Sequence, residues 1–271
     1  MHRDTMHKFC FESFGVRVRL ESANRELLDR AVKRARKSLV LPIKEIGDRE
    51  IDHVFTFGRT KTLGYYFDHN GKDRRSVEVF RGILIFFDSL LRVSVAESAG
   101  EFVFIHAGVV EWHGKAIVIP GDSFTGKSTL VSELIKLGAG YYSDEFAILD
   151  ADGKVNAFPR PINMRKDDGK YSPYVIKVNP ERVRIGGKPL EIGTILFTSY
   201  KPGAEWKPKH ITPGQGLIKT IPFTLPIKRN PEFTMYALNK AVNRALIIET
   251  LRSTAQIFSI KLLNYIDTLA V

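Results

Sequence analysis

The sequence predicts an α/β protein with a mixed sheet, preceded by a small α+β domain. A strand-like run leads into a glycine-rich loop and then into an amphipathic helix, which is the order of elements that a phosphate-binding loop requires. Strand pairs joined by tight turns flank this unit, whereas an all-parallel sheet would alternate strand and helix throughout. We therefore expect an N-terminal α+β domain of unknown role over 1–100 and a larger domain, which carries the loop, over 101–271.

The composition is that of an ordinary globular protein, with 44% apolar and 26% charged residues among 271. The most apolar stretch, 77–96, contains charges that a bilayer would have to bury, so we expect a buried helix there and no membrane span. The N-terminal residues lack the apolar core of a secretory signal. Cys10 is the single cysteine, which excludes an internal disulfide and a multi-cysteine zinc site and favours a cytoplasmic location.

The net charge of +11 is concentrated in one block, because residues 151–230 carry 15 Lys and Arg against 6 Asp and Glu. Such a block can contact phosphates, an acidic partner or nucleic acid, or it can be a set of solvated lysines. Nucleic acid is disfavoured, since Tyr171, Tyr174 and Trp206 are scattered and do not alternate with the basic residues. The composition leaves a homo-oligomer open.

In the N-terminal domain, alternating apolar residues predict a strand over 9–20, and Ser22 is placed to cap the helix that follows. Asn70-Gly71 is a turn signal. Two short strands are predicted before it, over 54–57 and 63–67. A helix over 76–96 buries one face of large side chains, namely Phe80, Leu84, Phe87 and Leu91. No catalytic motif lies in this domain.

The second domain opens with a predicted hairpin of strands 102–112 and 115–119, joined by His113-Gly114. After the glycine-rich loop, a helix with an apolar face ends at Gly138-Ala139-Gly140. Strands over 141–149 and 155–158 are then predicted around a turn. The remaining predicted elements are strands over 183–185 and 193–199, a helix over 231–251 and a closing strand over 258–262.

The loop fits the pattern G-x-x-x-x-G-K-[ST] without a mismatch. Its glycines allow successive N–H groups to point at phosphate oxygens, and the start of the next helix adds unpaired N–H groups. Lys127 is expected to reach the β- and γ-phosphates of ATP, and Ser128 to ligate Mg²⁺. A glycine turn that merely joins strand to helix is the plain alternative. The predicted nucleotide-binding residues are Gly121, Asp122, Ser123, Phe124, Thr125, Gly126, Lys127, Ser128 and Thr129.

Two adjacent carboxylates, Asp144 and Glu145, follow one helix and one strand after the loop, where a strand end should return beside the phosphates. In phosphoryl transfer, a carboxylate there can hold Mg²⁺ or accept the proton of the attacking hydroxyl. Neighbouring side chains on a strand point to opposite faces, so the two cannot act identically. We predict a catalytic or metal-binding role for both, with Asp144 first; a solvated strand edge is the alternative.

A histidine and two arginines complete the candidate site. His106 lies on the strand antiparallel to the one that enters the loop, where it can bond the carboxylate, touch a phosphate, or be satisfied by backbone. Arg160 and Arg165 flank a proline-containing loop, and a guanidinium group near the γ-phosphate would neutralise developing charge. They can equally be surface arginines.

These residues together resemble a known family, the catalytic domain of HPr serine kinase/phosphorylase, over about residues 101–170. The resemblance implies a phosphoenolpyruvate-carboxykinase-like nucleotide-binding fold, ATP and Mg²⁺ as ligands, and transfer to a serine hydroxyl. It also implies that Asp144 is the proton acceptor and that His106 is the family's histidine ahead of the loop. The segments that carry it are His106-Ala107-Gly108-Val109-Val110, 121–129, Leu137-Gly138 and Tyr142-Ser143-Asp144-Glu145.

Several positions depart from that family. Its usual Asp-Asp pair is Asp144-Glu145 here, and Phe124 replaces a glycine of its loop. The Glu-Ile-Arg-Gly stretch, which is associated with the reverse, phosphorolytic reaction, has no counterpart, and residues 1–100 do not match the family's regulatory domain. The resemblance therefore points to the wider group of related kinases, whose members act on other serine-bearing targets.

The leading hypothesis is thus an ATP-dependent serine kinase-like phosphotransferase, whose acceptor is a protein, a peptide or a small molecule. The alternative is a nucleotide-gated binding module with slow NTPase activity, which docks a partner through the basic block. Nucleic-acid binding by that block would weaken steeply between about 50 and 200 mM salt.

Overall fold

The computed structural model describes residues 5–40, 43–62, 64–123, 125–165, 173–184 and 187–269, without the side chains of Asp73, Arg165 and Pro173. The chain forms two compact units, Met1–Glu101 and Phe102–Val271. Both are mixtures of helix and sheet. None of the helices in the described ranges combines the length and apolar character that crossing a bilayer requires.

The first unit is a six-stranded sheet with two helices. Its strands are β1 (His7–Ser13), β2 (Val16–Ser22), β3 (Lys44–Glu45), β4 (His53–Arg59), β5 (Tyr65–His69) and β6 (Lys72–Val77). They lie in the order β3-β1-β2-β4-β5-β6. The β2–β4 pair is parallel and the other pairs are antiparallel. The helices are α1 (Arg25–Leu39) and α2 (Phe80–Ser98), and each buries an apolar face.

Three predictions for this unit need correction. The strand expected over 9–20 is a hairpin, because Phe14 and Gly15 adopt positive φ angles of 51° and 76° and turn the chain between β1 and β2. Asn24 caps α1, with its Oδ1 accepting from the Leu27 N–H, while Ser22 accepts from the N–H of Asn24 itself. The helix α2 starts later than expected, since β6 continues pairing with β5 up to Val77.

Other elements of this unit agree with the sequence. The predicted turn is confirmed, with Asn70 and Gly71 at φ 53° and 69°, which matches the right-handed twist of the β5–β6 hairpin. The short strand expected over 54–57 lies within β4. The strand expected over 63–67 is β5, which begins at Tyr65; Leu63 lies outside the described residues.

The second unit is built on an eight-stranded sheet. Its strands are β7 (Val103–Trp112), β8 (Lys115–Pro120), β9 (Gly140–Ser143), β10 (Phe146–Leu149), β11 (Val155–Asn156), β14 (Ile192–Tyr200), β15 (Lys209–His210) and β16 (Leu246–Arg252). A separate pair consists of β12 (Ile162–Arg165) and β13 (Pro173–Ile176). The helices are α3 (Lys127–Lys136), α4 (Pro213–Thr220), α5 (Pro231–Arg244) and α6 (Ala255–Leu269).

This sheet is mixed, as predicted. Its order is β11-β10-β7-β8-β14-β16-β15, with β9 also paired to β7. The β7–β8 hairpin turns at His113 and Gly114, with φ angles of 49° and 75°. By contrast, β8, β14 and β16 run parallel. The carboxyl ends of these three strands therefore share one edge of the sheet, where ligands of open α/β sheets commonly bind.

Helices cover both faces of the sheet, and β8 contributes to both cores. Ala116 and Val118 pack in one core with residues of α5, whereas Ile117 and Ile119 pack in the other with residues of α3 and α6. A strand that is buried on both faces reads as a continuous apolar run, which is the pattern of 116–119. This double burial fixes the end of β8, and so fixes the start of the loop that follows it.

The C-terminal predictions need correction. The helix expected over 231–251 ends at Arg244, and the chain continues as β16, because Ile247 and Ile248 face opposite cores as neighbours on a strand do. The strand expected over 258–262 is part of α6, whose Phe258 and Leu262 are spaced one helical turn apart and face the same core. Of the strand expected over 183–185, Val183 forms one isolated bridge to Tyr141, and Ile185 lies outside the described residues.

Candidate active site

The glycine-rich loop connects the end of β8 at Pro120 with the start of α3 at Lys127. Gly126 precedes the helix with φ 82°, a conformation that disfavours any residue with a side chain. At the other end of the loop, the Gly121 N–H donates to the His106 carbonyl oxygen at 3.2 Å. Phe124 lies outside the described residues. The predicted strand–loop–helix arrangement is therefore present.

Lys127 is buried within the loop, with 8% of its surface exposed. Its Nζ donates to the Asp122 carbonyl oxygen at 2.5 Å, and the Thr125 hydroxyl donates to the same oxygen at 2.8 Å. Burial lowers the pKa of Lys127, while the charges of Asp144 and Asp122 act in the opposite direction. Lys127 forms no ion pair with any described carboxylate, so a phosphate would be a far better partner for this cation than the carbonyl oxygen it now contacts.

The other predicted loop residues divide by exposure. Asp122, Ser123 and Thr125 are exposed, whereas Ser128 and Thr129 lie half-buried in the first turn of α3. Unpaired backbone N–H groups at the start of a helix favour anions. The loop thus presents hydroxyls, backbone donors and a buried ammonium group at one end of α3.

Asp144 lies in a bend and not on a strand, which corrects the continuous strand predicted over 141–149. The bend of Asp144 and Glu145 separates β9 from β10, and both strands pair with β7. The Asp144 Oδ1 atom is buried and has no hydrogen-bond partner among the described residues. Burial raises the pKa of Asp144 to about 7, although a hydrogen bond from Ser128 and the charge of Lys127 oppose the rise. This carboxyl group can therefore exchange a proton near neutral pH.

Glu145 has a different environment from its neighbour. One of its carboxylate oxygens accepts from the Arg160 guanidinium at 3.2 Å, and its carbonyl oxygen accepts from the Ala107 N–H at 3.2 Å. Arg160 in turn accepts a hydrogen bond from the Tyr141 hydroxyl through its carbonyl oxygen. Of the two predicted arginines, Arg160 thus contacts Glu145, and the side chain of Arg165 lies outside the described part.

His106 lies on β7 opposite Phe146, next to the bend. Burial lowers the pKa of His106, and the charge of Lys127 lowers it further, against the pull of Glu145 and Asp122. Its ring makes no hydrogen bond to any described residue, so the predicted bond to a carboxylate is not formed here. The neutral ring stands within electrostatic range of Lys127 and Glu145, which leaves it available to a ligand.

Arg252 is a site residue that the sequence analysis missed. It ends β16, it is 5% exposed, and its Nη2 donates to the Thr125 carbonyl oxygen at 2.6 Å. The signal that could have found it is the position of Arg252 directly after Leu246-Ile247-Ile248-Glu249-Thr250-Leu251, because the β-branched residues of this run favour a strand. Because the predicted helix includes this run, Arg252 is not recognised from the sequence as the end of a strand.

The donors beside Lys127 fit a magnesium ion only in part. No three His, Cys, Asp or Glu side chains converge on a point anywhere in the described ranges. A P-loop protein, however, holds Mg²⁺ with a loop hydroxyl, a carboxylate and phosphate oxygens. Ser128 and the unpartnered Oδ1 of Asp144 fit these two protein ligands, whereas Glu145 is occupied by Arg160.

A cavity of about 680 Å³ opens at the carboxyl ends of β14 and β16. Lys207 and Glu249, which line it, have partners at 2.7 Å in Glu205 and Lys219. Lys201 and Lys209 also line it and form no ion pair within the part of the chain described. The cavity is therefore positively charged, and its wall includes Leu251, the neighbour of Arg252.

No protein-family profile matches the chain, and no curated protein matches it in sequence. Among solved structures, the Hpr(Ser) kinase/phosphatase from Coxiella burnetii is similar over 62% of this chain and 92% of its own, with a TM-score of 0.35 and 10% identity. Similarity at this level carries no inference about fold or activity. Function therefore has to be inferred from the geometry of the site.

Proposed function

We propose that the protein is an ATP-dependent kinase that transfers the γ-phosphoryl group to a hydroxyl, that of a serine or of a small molecule. The observation that carries the proposal is the pairing of a complete phosphate-binding motif with Asp144, a buried carboxyl group whose Oδ1 has no hydrogen-bond partner among the described residues. The sequence resemblance of residues 101–170 to HPr kinases supports the same reaction. A kinase of this kind belongs in the cytoplasm, where ATP is abundant.

Binding starts with an exchange of partners at Lys127. Its ammonium group leaves the Asp122 carbonyl oxygen and contacts the β- and γ-phosphates, which are charged and therefore bind it more strongly. Backbone N–H groups at the start of α3 bind the remaining phosphate oxygens. Bound Mg²⁺, held by Ser128 and phosphate oxygens, would neutralise part of the charge on the phosphates.

Asp144 then acts as the proton acceptor. As the acceptor oxygen bonds to the γ-phosphorus and the bond from that phosphorus to the β–γ bridging oxygen breaks, the hydroxyl proton passes to the Asp144 carboxylate and ADP leaves. A base works best when its pKa lies near the working pH, and a pKa of about 7 meets that condition. His106, whose ring is within electrostatic range of Lys127 and Glu145, helps to orient the reacting groups.

The acceptor is proposed to bind in the positively charged cavity at the ends of β14 and β16. Lys201 and Lys209 would bind an acidic group of the acceptor, since neither has an ion-pair partner among the described residues. A seryl peptide with acidic residues and a phosphorylated or carboxylated alcohol share this chemistry. Incubation with labelled ATP and a lysate, followed by identification of the labelled species, distinguishes a protein, a peptide and a small molecule.

The decisive test compares three variants in nucleotide affinity and single-turnover transfer. Lys127→Ala should reduce transfer by at least about a hundredfold, because it removes a charge that stabilises the transition state. Asp144→Asn should bind ATP nearly as the parent does and yet transfer poorly. His106→Ala should have a smaller effect than Asp144→Asn. Lys136→Ala is the matched control, since Lys136 is an exposed lysine on the same helix.

The outcomes separate the possible roles. Parental turnover by Lys127→Ala would contradict the kinase mechanism. Parental turnover by Asp144→Asn would exclude Asp144 as the base, and a loss of ATP affinity that follows Mg²⁺ dependence would assign it to the metal instead. Nucleotide binding with slow hydrolysis, and no labelled acceptor, would favour the binding-module alternative.

A further inference from the structure

Arg252 is a buried cation that has no carboxylate partner in the described part of the chain. Across the sheet it pairs with Tyr200 of β14, and the Tyr200 ring centroid lies 5.6 Å from its guanidinium carbon. Its only hydrogen bond to a described residue is the one to the Thr125 carbonyl oxygen. Burial lowers the pKa of Arg252 as well, and only Tyr200 opposes that shift. Taking an ion out of water is unfavourable, and one neutral carbonyl and one ring offset only part of that cost.

The bond to Thr125 also fixes the orientation of a peptide group in the loop. In a trans peptide the C=O and the following N–H point in opposite directions. Because the Thr125 carbonyl oxygen points at Arg252, the Gly126 N–H points away from it. This N–H is one of the groups that a phosphate-binding loop turns toward its ligand.

The absence of a side chain at Gly126 leaves room for this arginine. A Cβ atom at position 126 would lie 2.3 Å from the Arg252 Nη2, which is closer than any real contact. The positive φ of Gly126 separately disfavours a side chain at this position. The second glycine of the motif thus gives Arg252 access to the loop backbone.

We propose that Arg252 is the positioning residue of the phosphate loop: it holds the Thr125–Gly126 peptide with its N–H group directed at the phosphates, and its charge attracts the polyphosphate. The ligand class is a nucleoside triphosphate or another polyphosphate anion. The proposal rests on the phosphate-binding part of the proposed function and adds a residue, from a distant strand, that lies outside the motif. A bound polyphosphate would provide the negative charge that no described carboxylate provides to Arg252.

The test uses the full chain and Arg252→Gln, Arg252→Lys and Arg244→Gln variants. Arg244 is the matched control, because it is an exposed arginine of the same unit that donates to the Asp152 carbonyl oxygen. Affinity for Mg²⁺ with a non-hydrolysable ATP analogue, and with ADP, is measured calorimetrically at two salt concentrations. Thermal stability without nucleotide is measured in parallel.

Arg252→Gln should weaken binding of the ATP analogue by about ten- to a hundredfold, with a smaller loss for ADP and a shallower dependence on salt. The same variant should melt no earlier than the parent without nucleotide, since it removes a buried unpaired charge. Arg252→Lys should recover part of the affinity, because it keeps the charge without the planar fork. Arg244→Gln should bind as the parent does.

A purely structural clamp predicts a different result, in which Arg252→Gln lowers the melting temperature and Arg252→Lys fails to recover affinity. That result, or parental affinity of Arg252→Gln, would overturn the inference and leave the kinase proposal standing. Failure of the parent itself to bind ATP analogue or ADP would overturn both.

Discussion

The two units of the protein each bury charged side chains, but the partners of those side chains differ between the units. In the first unit, Asp88 of α2 forms ion pairs with Arg34, at 2.9 Å, and with Arg92, so the buried carboxylate has two guanidinium partners. Arg92 in addition donates to the Ser38 hydroxyl and to the Asp88 carbonyl oxygen. In the second unit, the buried charges of Lys127 and Arg252 are met by carbonyl oxygens.

This difference separates a structural charge from a functional one. A buried ion pair whose members satisfy each other needs no ligand, and its contribution to stability can be small. A buried cation next to a neutral carbonyl, or a buried carboxyl group with an oxygen that has no hydrogen-bond partner among the described residues, costs the fold free energy that a bound ligand can offset. The comparison can be tested by changing one charge at a time in each unit.

The largest expected effect is in the first unit. Asp88→Asn should destabilise the protein by about 3–5 kcal/mol, because it leaves two guanidinium groups without their buried counter-ion. Chemical denaturation of the full chain measures it, with Glu26→Gln as the control, since Glu26 is exposed and lies 4.0 Å from Arg30. An unchanged denaturation midpoint for Asp88→Asn would show that this cluster is not a closed ion-pair network.

The corresponding substitution in the second unit, Asp144→Asn, should stabilise the protein and not destabilise it. The pKa of Asp144 is about 7 in the folded protein and near 3.8 in the unfolded chain, so folding takes up a proton between these values and stability falls as pH rises through that window. Asp144→Asn removes this loss. At one pKa unit per about 1.4 kcal/mol, the variant should be more stable than the parent at pH 8 by about 2–4 kcal/mol, and little different at pH 4.

Melting temperatures of both proteins across pH 4–8 check this prediction. Asp152→Asn is the control, because Asp152 is exposed and bonded to Lys240, and its pKa is lowered and not raised. Equal stability of parent and Asp144→Asn at pH 8 would mean that Asp144 is hydrated or paired in solution, and the contrast with Asp88 would fail.

A smaller effect is expected at His106. Its lowered pKa means that the unfolded chain binds a proton more readily, so the parent should lose stability as pH falls through about 6.5, the ordinary histidine value. His106→Gln should reduce this loss of stability at low pH. The change should be smaller than the one expected for Asp144→Asn at pH 8. Retention of the parental slope in the variant would assign the slope to another group.

The smallest effect belongs to an exposed pair. Arg25 and Asp29 lie one turn apart on α1 with an N–O distance of 3.0 Å, and both are exposed. Asp29→Asn should cost about 0.5 kcal/mol or less, and 1 M salt should remove the difference. A loss comparable to that of Asp88→Asn would show that burial is not what distinguishes these carboxylates.

Much of the site was predictable because its parts are local in sequence. The loop of 121–128, the hairpin turn at His113 and Gly114, and a carboxylate after the next strand each follow from short patterns. The bend at Asp144 was not predictable, since both flanking segments continue pairing with β7 and only the tertiary context shows the break. Arg252 was missed because the run before it fits a helix and a strand almost equally, and pairing with β14 decides between them.

The parallel pairing of β14 with β16 bears on the order in which the protein folds. The β7–β8 hairpin closes a two-residue turn and can form early, whereas β16 reaches β14 only after residues 201–245 have crossed over the sheet. Non-local parallel pairing is slow, so we expect a folding intermediate in which the glycine-rich loop has formed but Arg252 does not yet contact it. Nucleotide would then bind the native state selectively and slow unfolding at β16. Hydrogen exchange at the amides of 246–252, with and without nucleotide, measures that protection.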